Sequence, residues 1–135
     1  MKNRIPQTVR EYMTESPVTI GPQVTMAAAH ELMRERGVRH LPVMHGGKLI
    51  GMVTARDLAL VASLADFDPK ELSVDEAMSE DVYAVSPDAP LRIVTAEMAE
   101  RKLGSAVVVQ GEKVIGVFTV TDACRALTQV LSLLH

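Results

Sequence analysis

Gly51-Met52-Val53-Thr54-Ala55-Arg56-Asp57 reads as the end of a strand running into the first turn of a helix, and the chain contains it twice. The second copy is Gly116-Val117-Phe118-Thr119-Val120-Thr121-Asp122. In each, a threonine precedes an aspartate by three residues, which is a capping-box spacing. The hydroxyl accepts from an orphan backbone N–H, and the carboxylate accepts from the N–H of the cap, for about 1 kcal/mol. The same atoms suit a second purpose. A helix N-terminus presents free N–H groups and the positive end of the helix dipole, which attract phosphate. A carboxylate there can accept from two neighbouring hydroxyls, as a ribose presents them, and Arg56 adds a guanidinium. Gly51 and Gly116 are expected to let backbone approach a ligand closely.

Working outward, the repeat extends along most of the chain. At an offset of 65 residues, Met13 falls on Met78, Pro22 on Pro87, Met33 on Met98, Val43 on Val108 and Gly46 on Gly111, without a gap. Each copy has the same grammar. A short amphipathic stretch (Thr8 to Met13, Ser73 to Met78) reads as one or two helical turns, and a short strand follows (Pro17 to Ile20, Val82 to Val85). Gly21-Pro22 and Ser86-Pro87 then break the chain. A helix over 25–36, ended by Gly37, buries Met26, Ala29 and Met33, and its counterpart buries Leu91, Val94 and Met98. Hairpins follow, His40–Met44 with Lys48–Val53 about Gly46-Gly47, and Ser105–Gln110 with Lys113–Phe118 about Gly111-Glu112. Ala106 to Val109 is apolar on both faces and is expected to be central. Final helices are predicted over Leu58–Leu64 and Ala123–Leu134. The sum is an α+β (α/β) fold with two small sheets: repeat one over 7–64, a linker over 65–72 and repeat two over 73–134.

Composition narrows the function. With 135 residues and 47% hydrophobic content the chain can bury a core, built from aliphatic side chains and eight methionines because aromatics are 3%. A net charge of −3 lacks the basic footprint of a general nucleic-acid binder. One cysteine, Cys124, allows no intrachain disulfide, and no apolar run reaches membrane-span length, so a cytoplasmic setting is expected. Cys124 sits in an apolar helix and reads as a small buried hydrophobe. His30, His40, His45 and His135 fall at no metal-binding spacing. Nothing places a general base beside a nucleophile, so no enzyme is expected.

The pattern Gly-hydrophobic-hydrophobic-Thr-x-x-Asp, with Met13-Thr14 and Arg39-His40-Leu41-Pro42-Val43, resembles the cystathionine-β-synthase (CBS) domain, present here as a tandem pair over about residues 7 to 130. The resemblance implies two repeats packed through their sheets about a pseudo-twofold axis, with an adenosine-containing ligand (AMP, ADP, ATP, S-adenosylmethionine or an NAD relative) between them and no cofactor required. It implies a ribose on Asp57 or Asp122, with Thr54 and Thr119 as the motif threonines. It places Arg56 and Thr121 beside phosphate, and Arg39 and His40 at a basic position. Val18-Thr19-Ile20 and Tyr83-Ala84-Val85 would line an adenine, with Leu41 and Pro42, or Ser105, Ala106 and Val107, alongside. The copies differ in charge: Gly104-Ser105 stands where copy one has Arg39-His40, so unequal sites are expected, the better phosphate site in copy one. The alternative is a ligand-free dimerisation or protein-interaction module. A homodimer through Leu58–Leu64 and Ala123–Leu134 is expected in either case.

Overall fold

The structure, a computed structural model, describes residues 5–15, 17–64 and 68–134; residues 65–67 of the expected linker and His135 lie outside these. The elements are β1 (Thr14–Glu15), α1 (Met26–Arg36), β2 (His40–His45), β3 (Lys48–Thr54) and α2 (Ala55–Ala62). They continue with β4 (Ala84–Val85), α3 (Leu91–Arg101), β5 (Ser105–Gln110), β6 (Lys113–Thr119) and α4 (Val120–Leu133). The fold is mixed α+β with, among the described residues, four α-helices and two sheets. The lead stretches, read from the sequence as one or two helical turns, are single 3-10 turns at Val9–Glu11 and Val74–Glu76.

The chain divides into two units: a first unit, Pro17–Val82, and a second unit, Met1–Ser16 with Tyr83–His135. This partition is not that of the sequence repeat, because each lead segment packs on the other copy. In the second unit the Val9 N–H donates to the Ala89 carbonyl at 3.1 Å, and the Leu91 N–H to Gln7 at 2.9 Å. In the first, the Val74 N–H donates to Val24 at 2.8 Å, and the Met26 N–H to Leu72 at 2.8 Å. Val9 and Val74, repeat equivalents, are completely buried, each in the core of the unit it has crossed into.

The methionine of each lead segment explains the motif glycine. A Cβ on Gly116 would sit 2.6 Å from Met13 Sδ and 3.0 Å from the Thr14 carbonyl oxygen. One on Gly51 would sit 2.6 Å from Met78 Sδ and 2.9 Å from the Ser79 carbonyl oxygen. The expectation that these glycines make room for a ligand is therefore corrected: a methionine sulfur and a neighbouring backbone occupy that side. β1 pairs with β6 at this point, Glu15 opposite Gly116, while Ser79 and Met52 exchange backbone hydrogen bonds of 2.9 Å.

The second unit's sheet runs β1-β6-β5-β4, so β5 is central and Ala106, Val107 and Val108 are buried, as its two apolar faces require. In the first unit β2 and β3 form the sheet, and Ile20 makes a single bridge to Val43 where a strand over Pro17–Ile20 was predicted. The hairpin turn of the first unit has positive φ at both Gly46 and Gly47, 59° and 78°, which only glycine adopts without strain. The cores match by volume. Leu41 opposes Val53 across β2 and β3; the equivalents Ala106 and Phe118 oppose across β5 and β6, a small residue on one strand offset by a large one on the next.

Two helix predictions shift. α2 begins at Ala55 rather than Leu58 and ends at Ala62, since Thr54 already caps it. α4 begins at Val120, and only Ala123 and Ala126 turn toward the core. Cys124, expected to be buried, is exposed, because it lies a helical step away on the outer face with Leu127.

The glycine contact gives a test. Gly116→Ala should cost about 1–3 kcal/mol, the usual penalty for overpacking. Gly21, with nothing within 4 Å of its would-be Cβ, should tolerate alanine within about 0.5 kcal/mol. Urea unfolding of the two variants measures both; equal midpoints would contradict the contact.

Candidate functional site

Strand geometry collects the motif residues at one sheet end in each unit. In the first unit, β2 starts where antiparallel β3 ends, so His40 opposes Thr54. The Ala55 N–H donates to the Arg39 carbonyl at 2.9 Å, tying the start of β2 to the first turn of α2. The Ile20 N–H donates to Pro42 at 3.0 Å, bringing the 18–20 segment alongside. In the second unit Ser105 opposes Thr119, the Val120 N–H donates to Gly104 at 3.1 Å, and the Val107 N–H donates to Tyr83 at 2.8 Å. Each set of sequence-predicted residues thus occupies neighbouring positions within its own unit.

Their accessibility differs. Leu41, Pro42, Ala106 and Val107 are fully buried, and Ile20 and Val85 nearly so; of these, Ile20, Leu41, Val85 and Ala106 belong to the cores of their units. Val18, His40, Thr54, Asp57, Tyr83, Ser105 and Thr119 are half-buried. Thr19, Arg39, Arg56, Ala84 and Thr121 are exposed.

Both helix starts carry the capping box that the spacing predicts. Asp57 Oδ2 accepts from the Thr54 N–H at 2.9 Å, and Thr54 Oγ1 accepts from the Asp57 N–H at 3.0 Å. In α4 the corresponding distances are 2.9 Å and 3.3 Å, and the Thr119 hydroxyl also lies 3.1 Å from Asp122 Oδ2. The cap therefore needs only one carboxylate oxygen. What happens to the other separates the two sites.

Asp57 Oδ1 has no partner among the described residues, and neither do the guanidinium groups of Arg39 and Arg56. In the second unit Asp122 is 1% exposed, and its Oδ1 accepts from Arg125 Nη1 at 3.2 Å. Arg125 is the residue that the motif comparison missed. Its signal was the i, i+3 spacing from Asp122, at the repeat position where copy one has Leu60. Because its side chain is 66% exposed, the pair adds less to stability than a buried one would, under about 1 kcal/mol. Its effect is to occupy the carboxylate oxygen that the cap leaves over.

Tyr83 is also engaged. The Arg101 guanidinium carbon lies 5.4 Å from the centre of its ring, in cation–π contact. Burial pushes the Tyr83 phenol above its usual pKa, the nearby Glu97 carboxylate adds to the rise, and Arg101 opposes it. The ring is neutral at physiological pH and covered by an arginine on one side.

No group of three or more His, Cys, Asp or Glu among the described residues could hold a metal ion. No helix among them is long and apolar enough to cross a membrane.

Comparison with known proteins agrees with this architecture. The CBS domain family matches residues 9–63 and 74–129. Hypoxic response protein 1 of Mycobacterium tuberculosis is 27% identical over 123 residues, covering 90% of this chain and 86% of that protein. A Vibrio cholerae structure carrying the name AcuB is 30% identical, with a TM-score of 0.78 and coverage of 93% of each chain. The CBS domain pair of protein MJ0100, solved with 5-methylthioadenosine and S-adenosyl-L-methionine, has a TM-score of 0.81 at 23% identity, over 91% of this chain and 98% of that one. At that identity the likeness is one of fold. With two matched segments that span most of its length and a fold shared with solved CBS pairs, the chain belongs to the CBS domain family.

Proposed function

We propose that this chain is a regulatory ligand-sensing module that binds a phosphate-bearing adenosine nucleotide at the start of α2. The observation that carries the reading is Asp57. One of its oxygens is fixed by the Thr54 cap, and the other is left to accept ribose hydroxyls. Arg39 and Arg56 stand on the same sheet end with guanidinium groups that have no partner among the described residues, suited to phosphate oxygens. The exposed Thr19 and half-buried Val18 offer a backbone and an apolar edge for the base. Support also comes from the adenosine compounds held by the MJ0100 pair. The module is regulatory rather than catalytic: its ligand shifts the population of its packing states, which is the output.

The second unit's site is the weaker one. A ribose reaching Asp122 must displace Arg125, and neither Arg39 nor Arg56 has a cationic counterpart there. The chain also associates as a homodimer through the helices read from the sequence as Leu58–Leu64 and Ala123–Leu134. Leu60, Leu64, Leu127 and Leu131 are each at least half exposed on them, more apolar surface than a monomer keeps on so small a domain.

A thermal-shift series tests the binding site. AMP, ADP or ATP should raise the melting temperature more than S-adenosylmethionine does, and Asp57→Ala should remove most of the rise. Absence of stabilisation by every adenosine compound would overturn the reading. Titration calorimetry tests the inequality of the sites. The unmodified chain should take one nucleotide per chain at concentrations where Arg125→Leu takes close to two; a stoichiometry unaffected by the substitution would show that the Arg125 contact does not gate the second site.

A further inference from the structure

Between α1 and α2 the first unit holds a cavity of about 400 Å³. Met26 and Leu58, both buried, form its floor, and Ala55, Ala59 and Ala62 line it along one side of α2. The alanines keep it open. At the repeat positions of Ala27, Ala55, Ala59 and Ala62 the second copy has Arg92, Val120, Cys124 and Leu127, each of them larger. None of the residues assigned above to the nucleotide lines this cavity, and neither do Leu60 and Leu64, the exposed leucines of α2 and its end. Its volume falls within the range of small-ligand pockets, roughly 300–1,000 Å³.

The rim carries opposite charges. Asp68 and Lys70, both exposed, line it, and their segment is tied across the start of α1. The Ala27 N–H donates to the Pro69 carbonyl at 3.0 Å, and the Met26 N–H to the Leu72 carbonyl at 2.8 Å. Asp68 Oδ1 accepts from the Lys70 N–H at 2.9 Å, which orients the carboxylate. Asp68 Oδ2, the Lys70 ammonium and the His30 imidazole on the α1 side have no partner among the described residues.

The chemistry of the occupant follows from these groups. A purely apolar molecule fills the floor but covers the polar groups of the rim without pairing them. An aliphatic carboxylate meets Lys70 but also faces Asp68, and an aliphatic amine meets Asp68 but also faces Lys70. A molecule with an ammonium, a carboxylate and an apolar side chain pairs with both charges and fills the floor. We infer that the cavity binds an apolar α-amino acid, with its ammonium on Asp68, its carboxylate on Lys70 and His30, and its side chain over Met26 and Leu58 beside the alanines of α2. This second site stands whether or not a nucleotide binds at the start of α2, and it gives the module a second input.

Titration calorimetry of the full chain with L-leucine, L-methionine and L-phenylalanine tests this. At least one should bind. Analogues of the tightest that lack the ammonium or the carboxylate (isocaproate and isoamylamine for leucine) should bind at least about tenfold more weakly, the loss expected for one charged hydrogen-bonding group. Asp68→Asn and Lys70→Ala should each cause a loss of the same size, and Ala59→Trp, which fills the cavity, should abolish binding. Circular dichroism checks that Ala59→Trp keeps the parent fold; should it not, the two rim variants carry the test. No binding of any of the three amino acids would overturn the proposal. So would an analogue without its ammonium that binds as tightly as the amino acid, or binding that neither rim variant weakens. A parent chain that binds none of them and whose dimer Ala59→Trp dissociates would assign the cavity to a second copy instead.

Discussion

A methionine sulfur lying where a side chain would stand on a strand glycine holds each half of this molecule together. Met13 covers Gly116 and Met78 covers Gly51, and only a residue without a Cβ admits them. Each methionine ends a lead segment whose valine, Val9 or Val74, completes the other copy's core. Neither copy of the repeat can bury its own helices and sheet without a segment from its neighbour. The two copies are thereby obliged to fold together, and the threonine and aspartate three and six residues past each glycine are set on the helix start that follows.

That arrangement makes two helix starts of the same plan, and single differences between the copies then make their surroundings unequal. The capping box uses one oxygen of each aspartate. In copy one the second oxygen and two arginines have no partner among the described residues; in copy two Arg125 pairs with the second oxygen and Arg101 covers the neighbouring aromatic ring. The repeat supplies the geometry, and Arg125, where copy one has Leu60, pairs with one of the two carboxylates.

Much of this was legible in the sequence because it depends on local signals. The 65-residue register, the hairpin glycines, the Thr25 and Gly37 helix limits and both capping boxes follow from spacing alone. What the register does not reveal is which copy a segment packs on. Val9 and Val74 look interchangeable in sequence, and their exchange is a matter of tertiary contact. For the same reason the motif glycines were read as facing a ligand. The Pro17–Ile20 segment reduced to one bridge at Ile20, while its equivalent of the same length supplies β4, a difference that the repeat register does not carry. Cys124 was misplaced because an apolar stripe wider than the buried arc does not say which edge faces the core. Arg125 lies three residues beyond the motif aspartate, where the repeat pattern no longer constrains the residue type.

The most direct test is a crystal structure of the chain grown with saturating AMP or ATP. The account predicts ribose hydroxyls on Asp57, phosphate oxygens facing Arg39 and Arg56, and an undisturbed Asp122–Arg125 pair. A nucleotide seated on Asp122 with the α2 start empty would contradict it.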